Sequence, residues 1–338
     1  MGDGKMQLLG QTLAQLQELC AAEGFPRYTA KQLCDWLYKK RVDSIDAMTN
    51  LSRIQRARLE EIARVGREEP VRCQVSHDGT KKYLFQTAHG YVETVYIPDG
   101  ERATLCVSSQ VGCKMGCRFC VTGRQGFHGN LTAGEIVNQL FSIAEYTQLT
   151  NVVFMGMGEP MDNVEAVLDA CAVLTAEWGL GWSPKRITVS TVGILPAMRR
   201  FVTESQCHLA VSLHNPVADE RLAMMPVQKA YPIAEVIEML RGYDWEGQRR
   251  LSFEYTMFHG VNDDMAHAKQ LAEMLRGLCC RVNLIRFHES EGAPYHTSTT
   301  EAMESFRDCL LRHGVMCTIR ASRGQDIDAA CGLLAGKN

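Results

Sequence analysis

Three closely spaced cysteines, Cys113, Cys117 and Cys120, form a C-x3-C-x2-C pattern in a turn-rich segment. Thiolates at these separations can converge on one metal centre if the loop curls around it, and three of them leave one position of a tetrahedral site or a cubane cluster open. An open position is typical of a centre that does chemistry. Three buried free cysteines are the plainer alternative. A closed zinc site is disfavoured because only His128 lies near enough in sequence to complete it.

Polar residues that could bind a ligand follow several apolar segments further along the chain. The stretch 156–160 reads Gly-Met-Gly-Glu-Pro, in which the glycines allow backbone to approach a ligand and Glu159 can bind a cationic amine. Its spacing is not that of a dinucleotide-binding fingerprint. Ser190, Ser212 and His214 end the next two apolar segments, where each alone could be a cap or a turn former. Together they predict one polar mouth beside the cysteine loop.

These candidates require a sheet that presents its strand ends along one edge. From residue 103 onward, apolar segments alternate with amphipathic ones. The predicted strands are residues 103–107, 151–156, 186–191, 208–214, 251–258, 281–287 and 315–319, and the main predicted helices are residues 133–146, 164–178, 233–241, 265–278 and 301–313. This alternation predicts an α/β fold with a parallel sheet, either a barrel or an open doubly wound sheet. Both architectures place their sites at the C-terminal strand ends.

Two smaller segments precede the α/β domain, which we assign to residues 102–338. Residues 1–70 read as a small domain of short helices, and residues 71–101 alternate with period two and predict a linking β-hairpin in which Glu93 interrupts an apolar strand. From Arg27 to Arg67 ten basic residues face five acidic ones. This local excess predicts either an RNA-contacting surface or ordinary solvated helix faces.

The composition favours a protein of a reducing compartment. The chain has 338 residues, enough for a large domain with a small appendage, and a net charge of -3, which excludes a globally basic nucleic-acid coat. Residues 1–6 lack a secretion signal, and no run of about 18 apolar residues could span a bilayer. Fourteen cysteines without such a signal indicate reduced thiols. We expect a soluble, cytoplasmic monomer that makes no membrane contact.

The cysteine loop, with Phe119 before its last cysteine, resembles the radical S-adenosylmethionine (SAM) superfamily, in which three thiolates hold a [4Fe-4S] cluster and SAM binds the fourth iron. More narrowly, residues 102–113, 156–160 and 326–332 resemble the RlmN/Cfr-type RNA adenine methyltransferases, and the likeness covers nearly the whole chain. It implies a partial (βα)6 radical SAM barrel with an N-terminal RNA-binding appendage. It also implies methylation of adenine C2 in 23S rRNA and in tRNA, with one cluster per chain, two SAM per turnover and a flavodoxin-like one-electron reductant.

The resemblance also implies residue roles. Cys331 matches a cysteine that is methylated, loses a hydrogen atom from that methyl group to a 5'-deoxyadenosyl radical, and adds to adenine. Cys106 matches the thiol that releases the adduct by forming a disulfide with Cys331. Glu93 matches the base, although a carboxylate there could equally position RNA. The implied SAM contacts are Gly158, Glu159, Ser190, Ser212, Leu213, His214 and His288, the last in place of the family's usual asparagine.

Three other functions are alternatives to this one. The same family contains a branch that methylates adenine C8, but Arg323-Gly324, residues 292–295 and Val111 resemble the C2 branch. An iron–sulfur electron carrier would normally complete its cluster with a fourth cysteine and would have no use for Gly158 and Glu159. A non-catalytic RNA-binding module would leave the cysteine triplet unexplained.

Overall fold

The computed structural model describes residues 4–336. Residues 1–3 and 337–338 lie outside the described residues. They include part of the segment 1–6 that was considered for a secretion signal, and the outer ends of the first and last predicted domains. The chain begins with short elements: β1 (Met6–Gln7), α1 (Leu13–Ala22), α2 (Thr29–Cys34), α3 (Arg53–Ile62) and β2 (Ala63–Arg64). The short helices agree with the prediction. The parallel pairing of β1 with β2 was not predicted, since two residues carry no periodic signal.

Side-chain caps fix where these helices begin. The Thr12 hydroxyl accepts a hydrogen bond from the Gln15 backbone N–H at 3.3 Å, and the Gln15 side chain accepts one from the Thr12 N–H at 2.7 Å. Ser52 and Gln55 form the same reciprocal capping box at α3. Local sequence is therefore sufficient to place both helix starts.

The N-terminal helices pack against the outer layer of the barrel. Gln15 of α1 donates to Asp169 at 3.0 Å, and the Tyr38 ring lies 5.9 Å from the Trp178 ring. Buried residues of both regions belong to one continuous apolar core. The helical segment is therefore supported by the barrel through burial as well as through the chain connection.

The predicted hairpin is present and is part of a larger sheet. It consists of β4 (Lys81–Thr87) and β5 (Gly90–Asp99), with β3 (Arg72–Val75) on its outer side. Strand β5 pairs antiparallel with β6 (Arg102–Cys106), and Val95 lies opposite Cys106. The hairpin thus extends the barrel sheet, and it brings Glu93 near the site.

The remaining predicted strands and helices are present and alternate, and five elements that were not predicted lie among them, at residues 110–112, 121–124, 127–130, 195–204 and 218–224. Together, these elements are β7 (Gln110–Gly112), α4 (Val121–Arg124), β8 (Phe127–Asn130), α5 (Ala133–Phe141), β9 (Asn151–Phe154), α6 (Val164–Thr175), β10 (Ile187–Thr191), α7 (Leu195–Glu204), β11 (His208–Ser212), α8 (Ala218–Met224), α9 (Ile233–Arg241), β12 (Leu251–Met257), α10 (Met265–Met274), β13 (Arg281–Arg286), α11 (Thr300–Arg312) and β14 (Met316–Ile319). Several strands end one or two residues earlier than predicted. For example, His214 has φ of +57° and so has left the extended conformation.

The strand order distinguishes a barrel from a doubly wound sheet. Within residues 4–336, seven parallel strands adjoin in chain order, β6-β9-β10-β11-β12-β13-β14, with no reversal of direction. Successive right-handed crossovers that always add to the same side keep the helices on one face, so the sheet curls into a barrel wall. In the described chain β14 and β6 do not pair, which leaves the barrel open on one side. The predicted partial barrel is confirmed. No helix among these residues is long and apolar enough to cross a bilayer.

Candidate active site

A cleft at the C-terminal ends of the parallel strands brings most of the predicted site residues together. Its lining includes Cys113, Cys117, Cys120, Gly158, Glu159, Ser190, Ser212, His214, His288 and Cys331. Among the described residues, the predicted ones that lie outside this lining are Leu213, Cys106 and Glu93. Leu213 is fully buried and takes part through its backbone, as described below.

The cysteine loop is presented by a tight turn. Gly112 ends β7 with φ of +73°, and a Cβ atom at this position would lie 1.9 Å from the Gly126 carbonyl oxygen. The same carbonyl accepts a hydrogen bond from the Cys113 N–H at 2.8 Å. Phe119 anchors the far side of the loop, with its ring 5.0 Å from the His214 ring. The loop geometry therefore depends on a glycine and an aromatic residue that flank the cysteines.

The three cysteines fit a cluster better than a single ion. All three are free thiols on the cleft wall, and burial raises the pKa of Cys113 to about 12. No three His, Cys, Asp or Glu side chains in residues 4–336 are close enough to hold one metal ion. A [4Fe-4S] cluster does not require the three thiolates to meet at one ion, because each thiolate binds a different iron. Protonated thiols must lose their protons when iron binds, as metal assembly generally requires.

Glu159 places a carboxylate in the cleft beside the cysteines. It is 3% exposed, and its two oxygens accept hydrogen bonds from the Val192 N–H and the Met161 N–H, each at 3.0 Å. Burial raises the pKa of this carboxyl group to about 7 despite these bonds. A buried carboxylate of this kind gains strongly from a cationic ligand, since the ammonium restores the ionised form.

Gly158 is needed for the turn that carries Glu159. Its φ is +97°, and an added Cβ would lie 2.5 Å from the Gln110 side chain. Gln110 in turn accepts the Glu159 N–H at 2.8 Å. The glycine therefore lets the backbone approach the cleft closely, as the sequence predicted.

His214 also lines the cleft, and its ring is neutral. Its Nδ1 accepts a hydrogen bond from the Thr256 N–H at 2.9 Å, so the ring proton is on Nε2. Burial, with a smaller contribution from Arg221, lowers the pKa of His214 to about 3. The imidazole is therefore a hydrogen-bond donor to the cleft at neutral pH.

Arg221 was missed by sequence reasoning and holds three strand-end carbonyls. It has no exposed surface, and its guanidinium donates to the carbonyl oxygens of Leu213 at 3.0 Å, Ser212 at 3.0 Å and Val192 at 3.1 Å. A fourth bond goes to Gln228 at 2.6 Å. Arginine can make this many hydrogen bonds because its planar guanidinium group has five N–H donors. The only sequence signal was an arginine in the short helix after β11.

A second cavity adjoins the cleft, and Cys331 borders both. Cys106, at the end of β6, lines the second cavity only, together with Arg102, Arg286, Arg320, Arg323 and one acidic residue, Asp99, which pairs with Arg323 at 3.0 Å. Burial raises the pKa of Cys106 to about 12. Burial also raises the pKa of Cys331, and the positive charge of Arg320 opposes the rise at both thiols. The two cysteines, more than two hundred residues apart in sequence, are thus brought to one cavity rich in cations.

His288 lies between the two cavities and lines both. Its Nε2 is 2.8 Å from the Ser322 hydroxyl, and burial lowers its pKa. A neutral imidazole here retains Nδ1 for a ligand. This is the position at which the sequence departs from the family pattern.

Glu93 binds the C-terminal segment that carries Cys331. One carboxylate oxygen accepts the backbone N–H groups of Ala335 at 2.7 Å and Gly336 at 3.2 Å, and the other is 3.2 Å from the Lys82 ammonium. Lys82 also donates to the Asp328 carbonyl at 3.4 Å. We call this set the tail clasp: the buried side chains of Lys82 and Glu93, together with the segment 328–336 that they hold. Glu93 as a base stays a prediction; in this conformation its carboxylate is engaged by the tail.

Comparisons with known proteins agree with this geometry. The model of the radical SAM superfamily matches residues 107–272, and that of the ribosomal RNA large subunit methyltransferase N-terminal domain matches residues 6–65. A "Probable dual-specificity RNA methyltransferase RlmN" of Phocaeicola vulgatus is 55% identical over 332 residues, covering 98% of this chain and 95% of the relative. A "Dual-specificity RNA methyltransferase RlmN" of Syntrophus aciditrophicus is 41% identical over 338 residues, covering 98% of this chain and 97% of the relative.

A solved structure matches the whole architecture. The crystal structure of a radical SAM methyltransferase from Sphaerobacter thermophilus superposes with a TM-score of 0.91 at 44% identity, covering 98% of this chain and 100% of the other. The cleft, the cysteine loop and these relatives all point to the same family. The chain belongs to the RlmN family of radical SAM RNA methyltransferases.

Proposed function

We propose that this enzyme methylates C2 of an adenosine in 23S rRNA and in tRNA, with Cys331 carrying the methyl group and Cys106 releasing the product. The observation that carries the proposal is the position of Cys331 on the border of two cavities, with Cys106 in the second. A carrier must reach the methyl donor on one side and the base on the other. The relatives named for dual specificity support two classes of RNA substrate.

In this scheme Cys113, Cys117 and Cys120 hold one [4Fe-4S] cluster per chain. When bound, the cluster supplies the electron that cleaves SAM and starts radical chemistry, which an electron-poor adenine carbon requires because it cannot displace a methyl group from sulfonium. Glu159 pairs with the amino group of SAM, and Ser190, Ser212, His214 and His288 offer hydrogen bonds to its polar parts. Two SAM are used per turnover, one to methylate Cys331 and one to activate that methyl group. We expect a flavodoxin-like reductant and a monomeric enzyme.

The chain's own residues perform the polar steps. The Cys331 thiol loses its proton, and its sulfur accepts the methyl group from the sulfonium of SAM by direct displacement. After Cys331 has become linked through its methyl carbon to adenine, the adduct radical would return one electron to the cluster, and a base would remove the ring proton. The Cys106 thiolate then attacks the Cys331 sulfur, and the electron pair of the S–CH2 bond moves to the carbon. That carbon takes up a proton and becomes the methyl group of the product, and a Cys106–Cys331 disulfide remains. Glu93 can serve as the base only once the tail releases its carboxylate.

Mass spectrometry of nucleosides tests the proposal. Ribosomal RNA and tRNA incubated with the reconstituted enzyme, SAM and dithionite should contain 2-methyladenosine, and the Cys331→Ala variant should produce none. 8-Methyladenosine in place of 2-methyladenosine would assign the chain to the C8 branch. A failure to form 5'-deoxyadenosine would instead favour an electron carrier and contradict the radical mechanism.

A further inference from the structure

The opposite, N-terminal mouth of the barrel is lined by cations that the site above does not use. Arg102, Lys185, Arg250 and Arg281 stand at or just before the starts of β6, β10, β12 and β13, around one open cavity. We call these four residues the basal cation ring. They come from distant parts of the chain, so no segment of the sequence is unusually basic here.

The positive charge of this ring is not compensated. Glu254 is the one carboxylate in the cavity lining, and it is already bound by Asn283 at 2.7 Å and by Arg320 at 3.4 Å. Within residues 4–336, none of the four ring residues has a carboxylate within 4.0 Å. The whole chain carries a net charge of -3. Four uncompensated cations around one cavity in an acidic protein therefore call for an anionic ligand.

A buried hydrogen-bond donor accompanies the cations. His208 is 8% exposed and lines the same cavity, and its Nδ1 accepts the Arg250 N–H at 2.9 Å. Burial, with the nearby arginines, lowers the pKa of His208 to about 4, so the ring is neutral with its proton on Nε2. In the described part of the chain, that N–H makes no hydrogen bond to the protein, so it can donate to a ligand in the cationic cavity.

The basal cavity adjoins the one that Cys106 and Cys331 line. Arg102, Arg320, Val153 and Met155 line both. Arg102 and Cys106 lie four residues apart on β6, roughly 13 Å at the rise of a strand. This distance is within reach of nucleotides that flank a base held at Cys106.

We propose that the basal cation ring binds phosphodiester groups of the RNA substrate beside the target adenosine. The inference rests on the proposed function only in taking RNA as the substrate. Arginine forks match phosphate oxygens in geometry and charge, and a lysine adds a point charge. RNA would then lie along the open side of the barrel, with its base at the cysteines and its backbone on the ring.

The test measures RNA affinity, independently of methylation. Fluorescence anisotropy of a labelled RNA hairpin is recorded with cluster-reconstituted enzyme between about 50 and about 200 mM salt. The variant Lys185→Gln/Arg250→Gln/Arg281→Gln removes three ring charges and leaves Arg102, which also lines the second cavity, unchanged. The control Arg199→Gln/Lys269→Gln/Arg312→Gln removes three exposed charges from helices α7, α10 and α11.

We expect the ring variant to bind RNA at least about tenfold more weakly at low salt, with a slope of log affinity against log salt smaller by about 2, since each phosphate contact contributes about 0.7. The double variant Arg250→Lys/Arg281→Lys should keep the salt slope of the wild type, because both positive charges are conserved. Equal behaviour of the ring variant and the control would overturn the proposal.

A second arm separates RNA from free phosphate. If inorganic phosphate raises the melting temperature of the wild type but not of the ring variant, while RNA affinity matches the control, the ring is a small-anion site and the proposal is wrong. The proposed function can fail separately. RNA affinity that depends on the ring without any 2-methyladenosine would support the ring and contradict the assigned reaction.

Discussion

At the scale of single residues, the cleft changes the acid–base properties of ordinary side chains. Glu159 is held by two backbone N–H groups yet is so far removed from water that its pKa rises to about 7. His214 is shifted in the opposite direction, to about 3, because burial disfavours its charged form. The cleft lining therefore combines a carboxyl group that can pair with an ammonium group and a neutral imidazole that can donate a hydrogen bond.

The shift of Glu159 predicts how SAM affinity depends on pH. Below about 7 the carboxyl group becomes protonated and loses its attraction for the ligand's ammonium. Above about 8 an α-amino group loses its own proton. Affinity should therefore be highest between these values in calorimetric titrations of the reconstituted enzyme. Glu159→Gln should bind SAM about 10 to 100-fold more weakly, as loss of a charge-assisted hydrogen bond predicts, and should lack the decline on the acid side.

The matched control is Glu165→Gln, which changes a carboxylate that is 78% exposed on α6. Its affinity profile should follow that of the wild type. A Glu159→Gln variant that keeps the acid-side decline would show that another group titrates and would contradict the assignment.

At the scale of elements, two sets of buried contacts hold the strands and the C-terminal segment that carry the site residues. Arg221 joins the ends of β10 and β11 through their carbonyls, and the tail clasp ties the C-terminal segment to β4 and β5. Both are buried charged groups with several partners, which makes removal of one partner costly.

The support by Arg221 predicts a loss of both stability and SAM affinity in Arg221→Lys. Lysine keeps the charge but cannot bridge three carbonyls, so we expect the free energy of unfolding to fall by about 2 to 4 kcal/mol. Urea titration measures this change. The affinity for SAM should fall as well, because Ser212 and Val192 line the cleft. Arg199→Lys on the exposed face of α7 should change neither quantity. Unaltered SAM affinity in a destabilised Arg221→Lys would limit Arg221 to a role in folding.

The tail clasp predicts a local effect on the segment that carries Cys331. Lys82→Met keeps the apolar stem but removes the partner of Glu93 and the contact with Asp328. The backbone amides of Ala335 and Gly336 should then exchange with deuterium at least about tenfold faster, since opening becomes easier by more than ~1.4 kcal/mol.

Lys81→Met is the matched control for the clasp. Lys81 is the neighbouring residue on β4 and pairs with Glu145 at 2.5 Å, away from the tail. Hydrogen exchange of the C-terminal peptide should be unchanged in this variant. Equal acceleration in both variants would mean that the sheet, and not the clasp, controls the tail.

At the scale of the whole molecule, local sequence patterns predicted most of the strands and helices, whereas contacts between distant segments determine which side chains meet at the site. Alternating apolar periods located every strand of the barrel wall, and the glycines at 112 and 158 are required where the chain turns toward the cleft. The contacts of Arg221, of the tail clasp and of the basal cation ring had no sequence signal. Each is defined by partners from separate segments, as with Glu93 and Ala335, 242 residues apart.

The N-terminal charge excess illustrates the same limit. Arg56, Arg58 and Arg64 have carboxylate partners, as do Lys40 and Arg67, and the Arg41 guanidinium lies over the Tyr146 ring. In the described chain, Arg27, Lys31, Lys39 and Arg53 are the members of the basic stretch without such a partner. RNA contact by this segment stays a prediction, and these four cations are its candidates.

The central proposal is that two cysteines act one after the other on one RNA base: Cys331 carries the methyl group to it, and Cys106 releases the product. The most direct measurement uses Cys106→Ala with SAM, dithionite and RNA, followed by nuclease and protease digestion and mass spectrometry of the peptides. The account predicts a stable adduct in which Cys331 is joined through one methylene carbon to adenosine, with little free methylated RNA. Release of methylated RNA at the wild-type rate, or an adduct on another residue, would contradict it.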